Sequence, residues 1–169
     1  MESRSIPGDA ELLQLAREVA DWLQRQQLML VTAESCTGGW IAKTLTDVPG
    51  SSAWFHGGLV TYSYEAKESL LGVDPATLEQ TGAVSGETAL EMVSGALARS
   101  SAGVAVAVTG IAGPDGGTPD KPVGTVWISW QRRGAEPCAR IFRFSGDREA
   151  VRRQSVAAAL SGLSKNLTV

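Results

Sequence analysis

The stretch 28–39, LMLVTAESCTGG, constrains the fold of this chain more than any other. Its apolar first half predicts a buried strand, and residues 40–45 directly after it predict the start of a helix. The hydroxyl and glycine residues between them place free backbone N–H groups at the positive end of a helix dipole. Such a turn suits an anion or the oxyanion of an acyl transfer, with Ser35 and Thr37 closest to it. The pattern is equally typical of a plain helix N-cap, so both interpretations stay open.

The composition is that of an ordinary globular chain of one domain. Its 169 residues are enough for a sizeable core, and the net charge of -3 does not indicate a nucleic-acid partner. No apolar run is long enough to cross a bilayer, and the N-terminus carries no signal-peptide pattern. Two cysteines (Cys36 and Cys138) and one histidine (His56) are a poor set of metal ligands. We therefore expect no metal, no cofactor and a cytoplasmic location.

Apolar periodicity along the chain predicts the element order α-β-α-β-α-α-β-β-β-α. The predicted strands cover residues 28–31, 53–63, 103–108, 125–130 and 138–144, the last two forming an antiparallel hairpin. This order predicts an α/β fold: a layered α/β/α domain with a mixed central sheet. Residues 1–8 are expected to be a flexible lead-in, and residues 9–168 a single domain.

Three loops that each follow a predicted strand carry the candidate site, at residues 34–39, 109–117 and 145–148. If their strands are neighbours that point the same way, these loops meet at one sheet edge, the usual ligand crevice of open α/β sheets. The loop 110–124 is rich in glycine and proline and is long for a compact domain. Such a loop is typically functional, and its alternative is a disordered surface excursion.

A serine nucleophile needs a base, and the chain offers two candidates. His56 precedes a Gly-Gly pair in an aromatic cluster, which favours a packing or loop residue. A lysine with a lowered pKa can replace histidine, and Lys67 is then the candidate base, with Tyr62 as a proton relay. The position of Lys67 also fits a solvated helix lysine, so spacing alone does not decide between the two.

Six motifs occur in a fixed order along the chain: AESCTGG (33–39), Tyr62 with EAK (65–67), GAVS (82–85), VTGIAGPDGG (108–117), KPVGTVW (121–127) and FSGDR (144–148). Together they resemble the C-terminal domain of the competence- and damage-inducible CinA family, from about residue 11 to about residue 160. The chain does not contain the molybdopterin-binding-like domain that precedes this domain in full-length members. The resemblance is therefore to the single-domain form.

The resemblance implies an amidohydrolase that converts nicotinamide mononucleotide to nicotinate mononucleotide and ammonia, without a metal or cofactor. It implies Ser35 as the nucleophile and Lys67 and Tyr62 as its catalytic partners. Backbone N–H groups after Ser35 would meet the oxyanion, and Arg148 would meet the nucleotide phosphate. The expected substrate-binding residues are Glu34, Cys36, Thr37, Gly38, Gly39, Thr109, Gly110, Gly113 and Arg148.

Other functions remain possible at this stage. A non-catalytic nucleotide-binding or regulatory module would use the same glycine-rich loops. A nucleoside phosphotransferase is disfavoured because the chain has no GxxxxGK[ST] sequence. The expected partner is the small-molecule substrate, with no nucleic acid and no membrane. A homo-oligomer, with a dimer favoured, is expected because Trp54, Trp127 and Trp130 could leave an apolar surface.

Overall fold

Every helix and strand expected from the sequence is found within residues 5–167, the part of the chain that the computed structural model describes. The helices are α1 (Asp9–Gln26), α2 (Trp40–Thr46), α3 (Tyr64–Leu71), α4 (Pro75–Thr81), α5 (Gly86–Ala98) and α6 (Arg148–Asn166). The strands are β1 (Leu30–Glu34), β2 (Phe55–Val60), β3 (Val104–Gly110), β4 (Thr125–Arg132) and β5 (Cys138–Arg143). Residues 1–4 of the expected lead-in and position 168 of the expected domain lie outside the described residues.

Strand β2 is shorter than the predicted 53–63. A one-turn 3₁₀ helix, Ser51–Ala53, precedes it and includes the first residue of the predicted strand. After it, the side chain of Ser63 accepts a hydrogen bond from Ala66 N and caps α3. Residues 61–63 therefore lead into α3 instead of extending β2, and α3 begins close to the end of β2.

The sheet is mixed, as predicted. Its strand order is β2-β1-β3-β4-β5. Strands β2, β1 and β3 run parallel, whereas β4 is antiparallel to both β3 and β5. Parallel neighbours end at the same edge, and two reversals return β5 to that edge as well. The loops that follow β1, β3 and β5 therefore share one edge of the sheet, which confirms the predicted arrangement of the three loops.

Helices cover both faces of the sheet, so the three-layer prediction is confirmed. Residues Val104, Val106 and Val108 of β3 pack in one core with α1, α2 and α6. The alternate residues Ala105 and Ala107 pack in a second core with α3, α4 and α5. This alternation follows from the two-residue period of a strand. Residues 104–108 of β3 are completely buried on both faces.

The tryptophans do not form the expected apolar surface. Trp54 and Trp130 are 2% and 1% exposed, and only Trp127 is half-buried. The indole N–H of Trp130 donates to the carbonyl of Ala159 in α6 at 3.0 Å, which satisfies its polar atom inside the core. The oligomer prediction depended on an apolar surface formed by three tryptophans, and this expectation is wrong for Trp54 and Trp130.

Within residues 5–167, no helix combines the length and the apolar character that a membrane span requires.

Candidate active site

The loop after β1 presents Ser35 at the edge of the sheet. Ser35 N donates to the carbonyl of Val108 at 3.0 Å, so the residue is still tied to β3, and Gly38 N donates back to Ser35 O at 3.0 Å. Gly38 and Gly39 have φ angles of +61° and +97°, a left-handed backbone that glycine adopts without strain. These two residues let the chain turn tightly from β1 into α2 and keep Ser35 in place.

Lys67 lies directly against Ser35. Its Nζ is 2.9 Å from Ser35 Oγ and donates to the carbonyl of Thr61 at 2.7 Å. The Lys67 residue is 1% exposed, so the alternative of a solvated helix lysine is wrong. Burial disfavours the charged form and lowers the pKa of Lys67 from 10.5 to about 8. A substantial share of Lys67 is therefore neutral near physiological pH, and a neutral amine at this distance can accept the serine proton.

Glu34, expected among the substrate-binding residues, is instead used by the protein itself. It is completely buried, and its carboxylate accepts hydrogen bonds from Thr37 Oγ1 at 2.6 Å, Ile41 N at 2.9 Å and Ala42 N at 3.0 Å. Two of these donors are free N–H groups of the first turn of α2. The Glu34 carboxylate and the Thr37 hydroxyl therefore fix the loop to α2.

Cys36 also faces inward. Its side chain belongs to the core shared by α1, α2 and α6. Burial raises the pKa of the Cys36 thiol to about 12, so it stays protonated and unreactive. The Cys36 side chain thus points into the core, and only the backbone of Cys36 is part of the turn at residues 35–39, the Ser35 loop.

Thr109 and Gly110 end β3 beside the loop of the GAVS motif. Thr109 Oγ1 donates to the carbonyl of Ala83 at 2.7 Å, which ties that loop to the sheet. A Cβ added at Gly110 would lie 2.7 Å from Val126 Cγ2 and 2.9 Å from Thr125 O. The absence of a side chain at Gly110 is therefore explained by close packing against β4, rather than by the expected approach of a ligand.

Arg148, the first residue of α6, connects two of the loops. Its guanidinium donates to the carbonyl of Gly113 at 2.7 Å and to the hydroxyl of Tyr62 at 3.2 Å. Gly113 has a φ of +86°, which again favours glycine. Two of the five N–H donors of a guanidinium are used in this way, which leaves three for an anion. No hydrogen bond within residues 5–167 joins the Tyr62 hydroxyl to Ser35 or Lys67.

Two residues complete the picture of the site. His56 is exposed on β2, toward the opposite end of that strand from Val60, which pairs with Glu34. Sequence reasoning missed Arg152, whose Nε and Nη2 donate to the carbonyls of Cys36 at 3.1 Å and Thr37 at 3.2 Å. A signal was available, because Arg152 lies four residues after Arg148 and therefore on the same face of α6.

The chemistry that this arrangement supports is nucleophilic. A serine hydroxyl and a buried amine from two separate segments meet at the edge of the sheet to which the chain leading into Arg148 also returns. Among the described residues, no group of three or more histidine, cysteine or acidic side chains is arranged to hold a metal ion. A serine beside a lysine of lowered pKa is a known device for acyl transfer.

Comparisons with known proteins identify the family of this chain. The model of the CinA C-terminal domain matches residues 12–167. Nicotinamide-nucleotide amidohydrolase PncC of Escherichia coli K12 is 53% identical over 155 residues, covering 92% of this chain and 94% of that protein. PncC of Pseudomonas putida is 55% identical over 149 residues, covering 88% and 92%. The solved structure of the competence/damage inducible protein CihA from Agrobacterium tumefaciens has a TM-score of 0.86 at 46% identity, covering 93% and 94%.

Proposed function

The chain belongs to the CinA C-terminal domain family, and we propose that it is a nicotinamide-nucleotide amidohydrolase. The proposed reaction takes nicotinamide mononucleotide and water to nicotinate mononucleotide and ammonia. The relatives that carry this name match nearly the whole of both chains, which supports transfer of the activity. One observation of the site carries the proposal: the Nζ of a buried lysine lies 2.9 Å from the hydroxyl of Ser35.

In the first half of the proposed reaction, Ser35 Oγ attacks the carboxamide carbon while neutral Lys67 accepts the hydroxyl proton. The carbonyl oxygen becomes an oxyanion, which those backbone N–H groups of the loop after Ser35 that have no protein acceptor would stabilise. One such donor is typically worth about 3–4 kcal/mol in the transition state. When the C–N bond breaks, Lys67 returns its proton to the departing NH₂ group, and ammonia leaves. The product of this half is a nicotinoyl ester on Ser35.

In the second half, a water molecule attacks the ester carbon, and Lys67 accepts one of its protons. The ester bond breaks, Ser35 Oγ recovers that proton from Lys67, and nicotinate mononucleotide leaves as the carboxylic acid, which gives its remaining proton to the solvent. Protons and charge therefore balance over the two steps. The same amine serves twice because each step begins with proton removal and ends with proton return.

The nucleotide phosphate needs a cation that does not take part in the chemistry, and Arg148 fits this role. Its three unused N–H donors and its place in the first turn of α6 both favour an anion. The hydrogen bond from Arg148 to Tyr62 supports a binding role for Tyr62 beside the phosphate rather than the proton relay suggested by the sequence. The Thr109 hydroxyl, held on Ala83, would shape the wall of the site through the GAVS loop.

Ammonia release from nicotinamide mononucleotide tests the proposal. We expect turnover by the wild-type protein that is unchanged by a chelator, and none by Ser35→Ala. Ser69→Ala, which changes an exposed serine of α3, is the matched control and should keep full activity. A folded Ser35→Ala protein that still releases ammonia would contradict the nucleophile. Binding of the nucleotide without any ammonia release would favour the nucleotide-binding module instead.

The assembly and location of the protein belong to the same proposal. Ile141 is 45% exposed on β5, an edge strand that pairs only with β4 among the described strands, and this favours a homodimer through β5. Cys36 and Cys138 are both free thiols, as is usual in the reducing cytoplasm. Analytical ultracentrifugation of the wild type and of Ile141→Lys tests the dimer, and only the wild type should sediment as one.

A further inference from the structure

The guanidinium of Arg152 binds the backbone of the Ser35 loop. Arg152 of α6 donates through Nε to the carbonyl of Cys36 and through Nη2 to the carbonyl of Thr37. These are the two residues that directly follow the proposed nucleophile. Arg152 also lies over the ring of Trp40, with its Cζ 5.2 Å from the ring centroid, so the guanidinium is packed between α2 and the loop.

The position of these carbonyls determines where the N–H groups of the loop point. In a trans peptide the C=O and N–H bonds point in opposite directions. Because the Cys36 carbonyl points at Arg152, the N–H of Thr37 in the same peptide points away from α6. Within residues 5–167, no protein acceptor is found for the Thr37 N–H, but Thr37 is 0% exposed, so this N–H has no open surface of its own. By contrast, the Gly38 N–H is already used by the Ser35 carbonyl.

We propose that Arg152 is a positioning residue of the amidase reaction, which holds the two peptides after Ser35 and thereby fixes the nucleophile and the loop N–H groups that meet the oxyanion. The inference rests on the proposed function and extends it, since it names the residue that orients the two peptides directly after the proposed nucleophile. A hydrogen bond to the carbonyl also polarises the peptide, which makes its N–H a better donor. Arg152 touches only the protein, so it acts through the loop.

The neighbouring Arg153 provides a matched control. Its Cζ lies 5.0 Å from the Trp40 ring centroid, so it shares the aromatic contact of Arg152. Its hydrogen bonds go elsewhere, to Glu149 at 2.9 Å and to Asp9 at 2.6 Å. Removing Arg153 therefore takes away the same chemical group and the same type of stacking, but leaves both loop carbonyls bound.

The test compares Arg152→Ala with Arg153→Ala in ammonia release. Loss of one oxyanion donor costs about 100- to 1000-fold in kcat, and a donor that is only misaimed costs less, so we expect a fall of about 10- to 100-fold for Arg152→Ala. KM should stay within about threefold, because the phosphate is bound by another arginine. Added millimolar guanidinium should raise the kcat of Arg152→Ala and leave Arg153→Ala unchanged. Arg152→Lys keeps the charge but not the two-donor fork, so its kcat should lie between those of the wild type and Arg152→Ala.

Two outcomes would overturn the role of Arg152: an unchanged kcat in folded Arg152→Ala, or an equal loss in Arg153→Ala. If Arg152→Ala does not fold, wild-type kcat in Arg152→Lys overturns it as well. Labelling of Ser35 by a fluorophosphonate separates this inference from the choice of substrate, because it needs the oxyanion donors but no nucleotide. If the wild type is labelled but does not hydrolyse the nucleotide, slower labelling of Arg152→Ala supports the inference while the proposed function fails. If neither reaction occurs, both proposals fail.

Discussion

Lys67 should make the protein less stable at neutral pH than a neutral side chain would. Its pKa is lowered from 10.5 to about 8 because the amine is buried, so the folded state holds the charged form at a cost. Each pKa unit corresponds to about 1.4 kcal/mol, which gives a penalty of about 3 kcal/mol below pH 8. Above the unfolded pKa of 10.5 both states are neutral and the penalty is absent. Stability should therefore rise with pH from about 8 to 10.5, where the unfolded state binds more protons.

Lys67→Met removes the charge and keeps a long apolar side chain. It also removes two hydrogen bonds, to Ser35 Oγ and Thr61 O, whose loss costs about 1 kcal/mol each. The balance is a variant about 1 kcal/mol more stable than the wild type at pH 7, which raises Tm by about 2–4 °C in a chain of this length. At pH 10.5 the order reverses, because only the lost hydrogen bonds remain. The same variant should have no amidase activity.

Urea unfolding of both proteins at pH 7 and at pH 10.5 measures this difference, with ammonia release as the readout of function. Lys43→Met is the control, since Lys43 is an exposed lysine paired with Asp47 and pays no burial penalty. The difference in the free energy of unfolding between Lys43→Met and the wild type should be the same at pH 7 and at pH 10.5. A Lys67→Met protein whose stability differs from the wild type by the same amount at both pH values would refute the burial argument.

Further predictions concern the same loop and its chemistry. The kcat/KM for ammonia release should rise with pH through about 8 and then level off, because only neutral Lys67 accepts the serine proton; an initial-rate profile that is flat across this range would argue against Lys67 as the base. Glu34→Gln should lower the free energy of unfolding by about 1–3 kcal/mol and reduce kcat, because an amide has a single oxygen for three donors. Urea unfolding checks this against Glu68→Gln on α3. Cys36→Ala should keep kcat within about threefold, and iodoacetamide should not inactivate the native enzyme, since the thiol is buried with a raised pKa.

The fold was largely predictable because its signals are local. Val106 packs in one core and Ala107 in the other because valine and alanine alternate over five consecutive residues of β3. Convergence of the loops then follows from strand direction, which the sequence indicates through its alternating helices and strands. Burial of Lys67 is different, because it depends on the contact of its side chain with Ser35, which is 32 residues away in sequence. Spacing therefore left two interpretations of Lys67, and only the fold decides between them.

The different surroundings of Glu34 and Ser35 follow from the sequence. Successive residues of a strand point to opposite faces, so Glu34 at the end of β1 and Ser35 directly after it must diverge. Ala33 packs with α3 and α5, which places Ser35 on that side with Lys67, whereas Glu34 turns to α2. The same two-residue period explains why Ser35 lies against Lys67 on one face of the strand end while Glu34 anchors α2 on the other.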